Sequence, residues 1–310
     1  MNDLNARIAN LSPEKRKLLE LLRQKQEEQN SDKVSEENVI RENLFSFEDG
    51  ELPEKGEVKS FYDALNSQLS TSQFGEYSFF LNYGYVPNSN PQFSQVRLPD
   101  VYLNKNSTRL VLEVIGDCEL GPDTEVLDVG CGRGGTVYVF RKFFNVGRIT
   151  GGDLSSNAVR FCQKVHTYPD TFFKEADAEN LPFEDQSFDI VTNLESSHTY
   201  GDLFAFYKEV WRVLRPGGNF LYTDLIPDER IGEYQEFLEN LGFVTEHTID
   251  ITSNVLLSCD EMANVHSKAF TQENDSDIMA NFLAVPNSPV YNEMKNGKTR
   301  YLLFRFHKKK

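Results

Sequence analysis

From about residue 108 to the C-terminus, short apolar runs broken by glycine or acidic residues alternate with longer amphipathic stretches. The run Val126, Leu127, Asp128, Val129 ends in a glycine cluster, Gly130, Gly132, Gly134 and Gly135. Such a run reads as a buried parallel strand that breaks into a tight turn and opens a helix. A second strand covers 148–153 and ends in Asp153. A third, in FFKEAD, puts Asp177 at its far end, and a fourth begins FDIVTNLESSH at 188–198. Residues 212–224 read as a helix end, a Pro-Gly-Gly turn and a fifth strand. Residues 229–241 are helical in pattern, 243–251 form a sixth strand and 299–308 a seventh. The pattern predicts an α/β fold with a seven-stranded, mostly parallel sheet and helices on both faces. In such a sheet ligands sit beyond the carboxyl ends of the strands, so the strand-end motifs converge on one crevice.

The chain before residue 108 has another character. Ser12-Pro13 suits a helix start, with Ser as N-cap and Pro at the first helical position. Leu18, Leu19, Leu21 and Leu22 then make an apolar patch on a charged helix ending near Glu28, and residues 29–57 read as a polar linker. Residues 1–57 are therefore expected to form a helix and linker, either packed on the main domain or used for docking. Residues 58–107 are rich in aromatics, among them Phe61, Tyr62, Tyr77, Tyr83 and Tyr85, and are expected to form a helical cap with an aromatic wall. Residues 108–310 make the main domain, with an insertion at 252–298 placed to shape a second pocket.

Composition narrows the field. The net charge of −16 argues against a polyanionic substrate such as DNA or RNA, since phosphate binding needs a basic face. No stretch reaches the apolar length of a membrane span, and the start, MNDLNARIANLSPEK, lacks the apolar core of a secretory signal. The four cysteines, Cys118, Cys131, Cys162 and Cys259, include no C-x-x-C pair. They suggest reduced thiols and a cytoplasmic protein rather than a disulfide or zinc framework. Asp153, at the end of the second strand, is placed to hydrogen-bond a ribose diol.

The glycine turn reads G-x-G-x-G, where a dinucleotide-binding turn reads G-x-G-x-x-G. With Asp153, the ADAENLPF motif around Asp177, and the RPGG turn, it resembles the class I S-adenosylmethionine-dependent methyltransferases over about residues 108–310. The resemblance implies a Rossmann-like fold and S-adenosylmethionine as cofactor. It implies that the Gly130–Gly134 backbone, with Asp128 behind it, holds the methionine end. Asp153 and the adjoining Leu154 would meet the ribose, Asp177 the adenine amino group, Ala178 the adenine face, and Asn193 and Leu194 the methionine portion. Asp177 also suits a plain helix N-cap. The FYD and LNYGY segments resemble caps of natural-product methyltransferases, which implies cofactor contact for Tyr62 and Tyr83. The LSPEKRKLLELLRQKQ leader is similar to linker helices of polyketide and nonribosomal peptide assembly lines. The whole set is similar to stand-alone O-methyltransferases of such pathways, of the microcystin-tailoring type.

Methyl transfer from a sulfonium needs a positioned nucleophile and a dry site, and a hydroxyl acceptor also gains from a general base. His198, in Glu195-Ser196-Ser197-His198 past the fourth strand, is the candidate base. Asp224, at the end of the fifth strand, is the candidate partner for its imidazole. Glu195 would either meet the cofactor's amino group or support His198. The expected reaction is O-methylation of a hydroxyl on a polyketide or peptide product, free or carried on a carrier protein, with no metal required. C-methylation of a small or lipid-like molecule and cofactor binding without turnover are the alternatives.

Overall fold

The computed structural model describes residues 54–71, 75–88, 93–269 and 280–310. The leader helix expected near residues 12–28 lies outside these residues, as does most of the linker. The linker also ends earlier than expected, because residues 55–57 already belong to the first described helix, α1 (Lys55–Thr71). Val58, Tyr62, Leu65 and Leu69 recur at helical spacing and give α1 the apolar stripe that it packs inward.

Seven strands form one sheet: β1 (Val126–Val129), β2 (Ile149–Asp153), β3 (Thr171–Glu175), β4 (Phe188–Leu194), β5 (Leu214–Pro227), β6 (Phe243–Asp250) and β7 (Thr299–Lys308). Their order is β3-β2-β1-β4-β5-β7-β6. The pairs among β1 to β5 are parallel, and β7 runs antiparallel between β5 and β6. The strand order reverses between β1 and β4, which opens the crevice where an open α/β sheet takes its ligand. The expected Pro-Gly-Gly turn before β5 is absorbed into that strand, where pairing with β4 shifts register between Phe188 and Ile190. Four β5 residues, 215–218, stand there against the single β4 residue Asp189, and Gly217 has φ 88°, so the Pro-Gly-Gly stretch loops out within the bounds of the strand.

Helices α2 (Lys105–Ile115), α3 (Gly135–Phe143), α4 (Ser156–Val165), α5 (Leu203–Val213), α6 (Ile231–Leu241), α7 (Thr252–Ala269) and α8 (Pro289–Asn296) complete the fold. Successive strand residues point to opposite faces. Val126, Ile149, Ile190 and Leu221 meet Leu110, Val137 and Phe140 on one face. Leu127, Val129, Val191 and Phe220 meet Phe206, Val210 and Leu238 on the other. Among the described residues no helix is long and apolar enough to cross a membrane.

Candidate functional site

The β1 turn is built around backbone that only glycine adopts cheaply. Gly130 has φ 69°, and a Cβ there would stand 2.2 Å from Ser196 Oγ and 2.8 Å from the Tyr200 hydroxyl. The turn can therefore pass close under β4. Asp153 ties it to β2: its Oδ2 accepts from the Gly132 amide at 2.7 Å and its Oδ1 from the Ser155 amide at 2.8 Å. Burial still pushes the Asp153 carboxyl up, against these two donors.

A cavity of about 1200 Å³, mouth included, opens over this turn. Its walls come from four places: the glycine turn, the ends of β2 to β4, α1 with the extended cap segment 79–83, and Phe282 of the insertion. Of the residues expected at the site, Tyr62, Tyr83, Gly130, Gly132, Asp153, Leu154, Asp177, Ala178, Leu194 and His198 line it. Asp128, Gly134, Asn193 and Asp224 stand behind the wall. Asp128 accepts from Thr192 Oγ1 at 2.7 Å, and burial raises its carboxyl to about 7. Asn193, fully buried, donates to Val129 O, Ser196 Oγ and Tyr200 OH, and so braces the turn rather than facing the cavity. Asp177 is engaged as well: its Oδ2 meets Lys55 Nζ of α1 at 2.7 Å, and its Oδ1 accepts from the Glu179 amide at 3.0 Å.

At the other end of the cavity sits the His198–Asp224 pair. Asp224 is fully buried, and its carboxylate receives four donors. These are Ser197 Oγ at 2.6 Å, the His198 amide at 3.1 Å, the Leu225 amide at 2.8 Å and His198 Nδ1 at 2.7 Å. Because a carboxylate only accepts, the proton of a neutral imidazole lies on Nδ1 and the lone pair on Nε2. Burial alone would lower the imidazole's pKa, but Asp224, with help from Glu195, outweighs it and His198 holds its proton more tightly than free histidine. Glu195 lines the same cavity end. Burial pushes its carboxyl up to about 8, although the Tyr301 hydroxyl and the Tyr83 amide both donate to it. Burial, with Asp153, Asp224 and Glu195 adding to it, pushes the Tyr62 hydroxyl well up.

Three contributors were not legible in the sequence. Arg133, inside the glycine turn, is buried and donates to Ser78 O, Gly75 O and Asn66 Oδ1, with its guanidinium 3.5 Å over Phe161. The cap is folded around this one side chain. Phe282 reaches the cavity from the insertion and packs on Tyr62, with ring centroids 6.4 Å apart. Tyr301 reaches Glu195 from β7, a strand remote in the chain. An arginine in a glycine loop and single aromatics in an insertion or a late strand carry no local pattern that sets them apart.

The description "Methyltransferase domain" matches residues 127–222. The fatty-acid O-methyltransferase of Mycolicibacterium smegmatis is 32% identical over 235 residues, which is 74% of this chain and 83% of that protein. The phthiotriol/phenolphthiotriol dimycocerosates methyltransferase of Mycobacterium leprae is 34% identical over 191 residues, 59% of this chain and 69% of that one. Among solved structures, the [4+2]-cyclase SpnF superposes with a TM-score of 0.63 at 21% identity, covering 82% of this chain and 95% of its own. Geranyl diphosphate C-methyltransferase from Streptomyces coelicolor A3(2) gives 0.57 at 17%, covering 80% and 97%. The structural likenesses speak for the fold. The cavity fits S-adenosylmethionine by its chemistry: a glycine turn for close backbone approach, acidic residues at strand ends, and carboxyl groups and aromatic rings in its wall, which suit a sulfonium cation. On the match along the chain, the sheet order and this cavity, the protein belongs to the class I S-adenosylmethionine-dependent methyltransferases.

Proposed function

We propose that this enzyme methylates a hydroxyl oxygen on an apolar, chain-like acceptor, a lipid-like or polyketide-like molecule. The observation that carries the reading is the His198–Asp224 pair at the cavity wall, beside the tyrosines and Phe282. S-adenosylmethionine supplies, when bound, an electrophilic methyl group. His198 takes the acceptor's hydroxyl proton at Nε2, while Asp224 holds Nδ1–H and stabilises the imidazolium that results. Tyr62, Tyr83 and Phe282 exclude water and accept the apolar body of the substrate. Asp153, Leu154, Asp177 and Ala178 hold the nucleoside, and the Gly130–Gly134 backbone and Leu194 hold the methionine end. Asp128 and Asn193 act indirectly, through the turn they brace.

The acceptor class draws on two relatives, one named a fatty-acid O-methyltransferase and the other a phthiotriol/phenolphthiotriol dimycocerosates methyltransferase. It also draws on the resemblance of the leader sequence to assembly-line linker helices and of the cap segments to those of natural-product methyltransferases. In this reading residues 58–107 and the insertion 252–298 form the acceptor chamber, the leader docks, and the acceptor reaches the site free or on a carrier in the cytosol. The test is methyl transfer from labelled cofactor to a panel of long-chain alcohols, hydroxylated polyketide acids, phenols and free fatty acids. Transfer to hydroxyl oxygen that His198→Ala lowers by about 10²- to 10⁴-fold, with cofactor affinity kept, is the expected result. Transfer only to carboxyl oxygen, or to carbon, in a reaction that survives His198→Ala, would overturn the base assignment.

A further inference from the structure

We propose that Glu195 is a positioning residue, one that fixes the Tyr83 wall of the acceptor chamber. The inference rests on reading the cap side of the cavity as the acceptor site. Glu195 is one of few non-glycine residues with left-handed backbone, φ 48°, and it lies at the end of β4. Such backbone persists only where the surroundings hold it, and it clusters at functional sites. Here the Glu195 amide donates to Thr223 O at 2.9 Å, and the side chain is turned across the cavity wall to the cap.

There the carboxylate takes the Tyr83 amide with both oxygens, at 2.9 and 3.1 Å, and Oε1 also accepts from the Tyr301 hydroxyl. The other face of the Tyr83 residue is held too. Ser258 Oγ of α7 donates to its carbonyl at 2.6 Å. Gly84 follows at φ 79°, where a Cβ would stand 2.6 Å from Ser258 Oγ and 2.9 Å from the Asn106 backbone, so the segment has no room for a side chain. Tyr83 is thereby clamped at both backbone ends while its ring lines the cavity, 6.4 Å from the Tyr301 ring. Sheet, cap and insertion meet at this one peptide, and Glu195 is the sheet's contribution.

Without the carboxylate the Tyr83 amide loses its acceptor, and the segment opens more often by about 5- to 100-fold. Hydrogen exchange of the peptide carrying Tyr83, measured on the full chain by mass spectrometry, reads that opening. Glu195→Ala is expected to exchange faster by that factor at Tyr83 but not in β1. Glu195→Gln, which keeps one acceptor oxygen, is expected to recover part of the protection. With 3-hydroxypalmitate methyl ester as acceptor, the loss is expected in KM more than in kcat, and calorimetric affinity for S-adenosylhomocysteine, which lacks the sulfonium charge, is expected to hold. Unchanged exchange at Tyr83 in both variants would overturn the proposal. So would a loss of S-adenosylhomocysteine affinity that matches the loss of activity, since Glu195 would then belong to the cofactor site. If no hydroxyl compound is methylated, the proposed function fails, while exchange at Tyr83 still decides the clamp.

Discussion

The two ends of the cavity are closed by the same kind of pair, a nitrogen base against a carboxylate, in opposite surroundings. At the end proposed for the nucleoside Lys55 meets Asp177 and Glu179, both at 2.7 Å, with side chains 41%, 33% and 15% exposed. Lys59 adds Glu175 at 3.1 Å and the carbonyl of Leu154 at 2.8 Å. At the reaction end His198 and Asp224 are 8% and 0% exposed at the same separation of 2.7 Å. Exposed pairs contribute between about 0 and 1 kcal/mol each and are screened by salt. A buried pair is a weak source of net stability, but removing one partner leaves the other stranded, at about 3–5 kcal/mol. Distance alone therefore says little about what a pair does. The Lys55 end is held by part-exposed ion pairs that contribute little each. The reaction end has a fixed imidazole.

The largest effect expected from breaking this contrast is at Asp224. Asp224→Asn keeps the shape but offers the imidazole the wrong partner, and kcat is expected to fall by about 10⁴-fold. The pH profile carries the sign. The proposed base, His198, serves only when neutral, and Asp224 raises its pKa, so the acid limb of kcat/KM is expected above the ordinary histidine value of about 6.5. In Asp224→Asn the limb moves to lower pH. A limb that stays in place would show that another group sets it.

A smaller effect belongs to Glu195. Burial raises its carboxyl to about 8, so it is largely protonated in the free enzyme near neutral pH. A bound sulfonium cation favours the ionised form, and binding is expected to release protons. S-adenosylhomocysteine, a neutral thioether, should release fewer. Calorimetry at about pH 7.5 in buffers of different ionisation enthalpy reads the difference, which Glu195→Gln should remove. Equal release by both cofactors would break the picture of a charge-sensitive reaction end.

The smallest effect is expected at Lys55. Lys55→Ala should weaken cofactor affinity by no more than about fivefold and leave kcat unchanged. The difference from the unmodified enzyme should fade at about 0.5 M salt, while the Asp224→Asn defect does not. A large, salt-independent loss at Lys55 would erase the distinction between the two ends.

Much of this arrangement was legible along the chain because it depends on neighbours in sequence. The apolar run into Gly130 and the aspartate that ends β2 are such local signals. Parallel pairing likewise brings His198, past the end of β4, beside Asp224, one residue beyond the last β4–β5 pair, although β5 runs on to Pro227 and does not end at 224 as expected. Boundaries were less secure. The polar stretch before residue 58 already holds the first turn of α1, since Lys55 and Glu57 suit an exposed helix start as well as a linker.

The amino-acid sequence by itself determined the strand–turn–helix order, the glycine turn and the acidic strand ends, because period, glycine freedom and strand alternation act over a few residues. Only the tertiary structure decided what holds the cap. Arg133 looks like a spacer between glycines, yet it becomes the post around which Asn66, Gly75 and Ser78 gather. Lys55 engages Asp177 across 122 residues, and Tyr301 engages Glu195 across 106. The partner of a buried charge is set by where the packed chain leaves a polar group in need of one, and no local pattern records that.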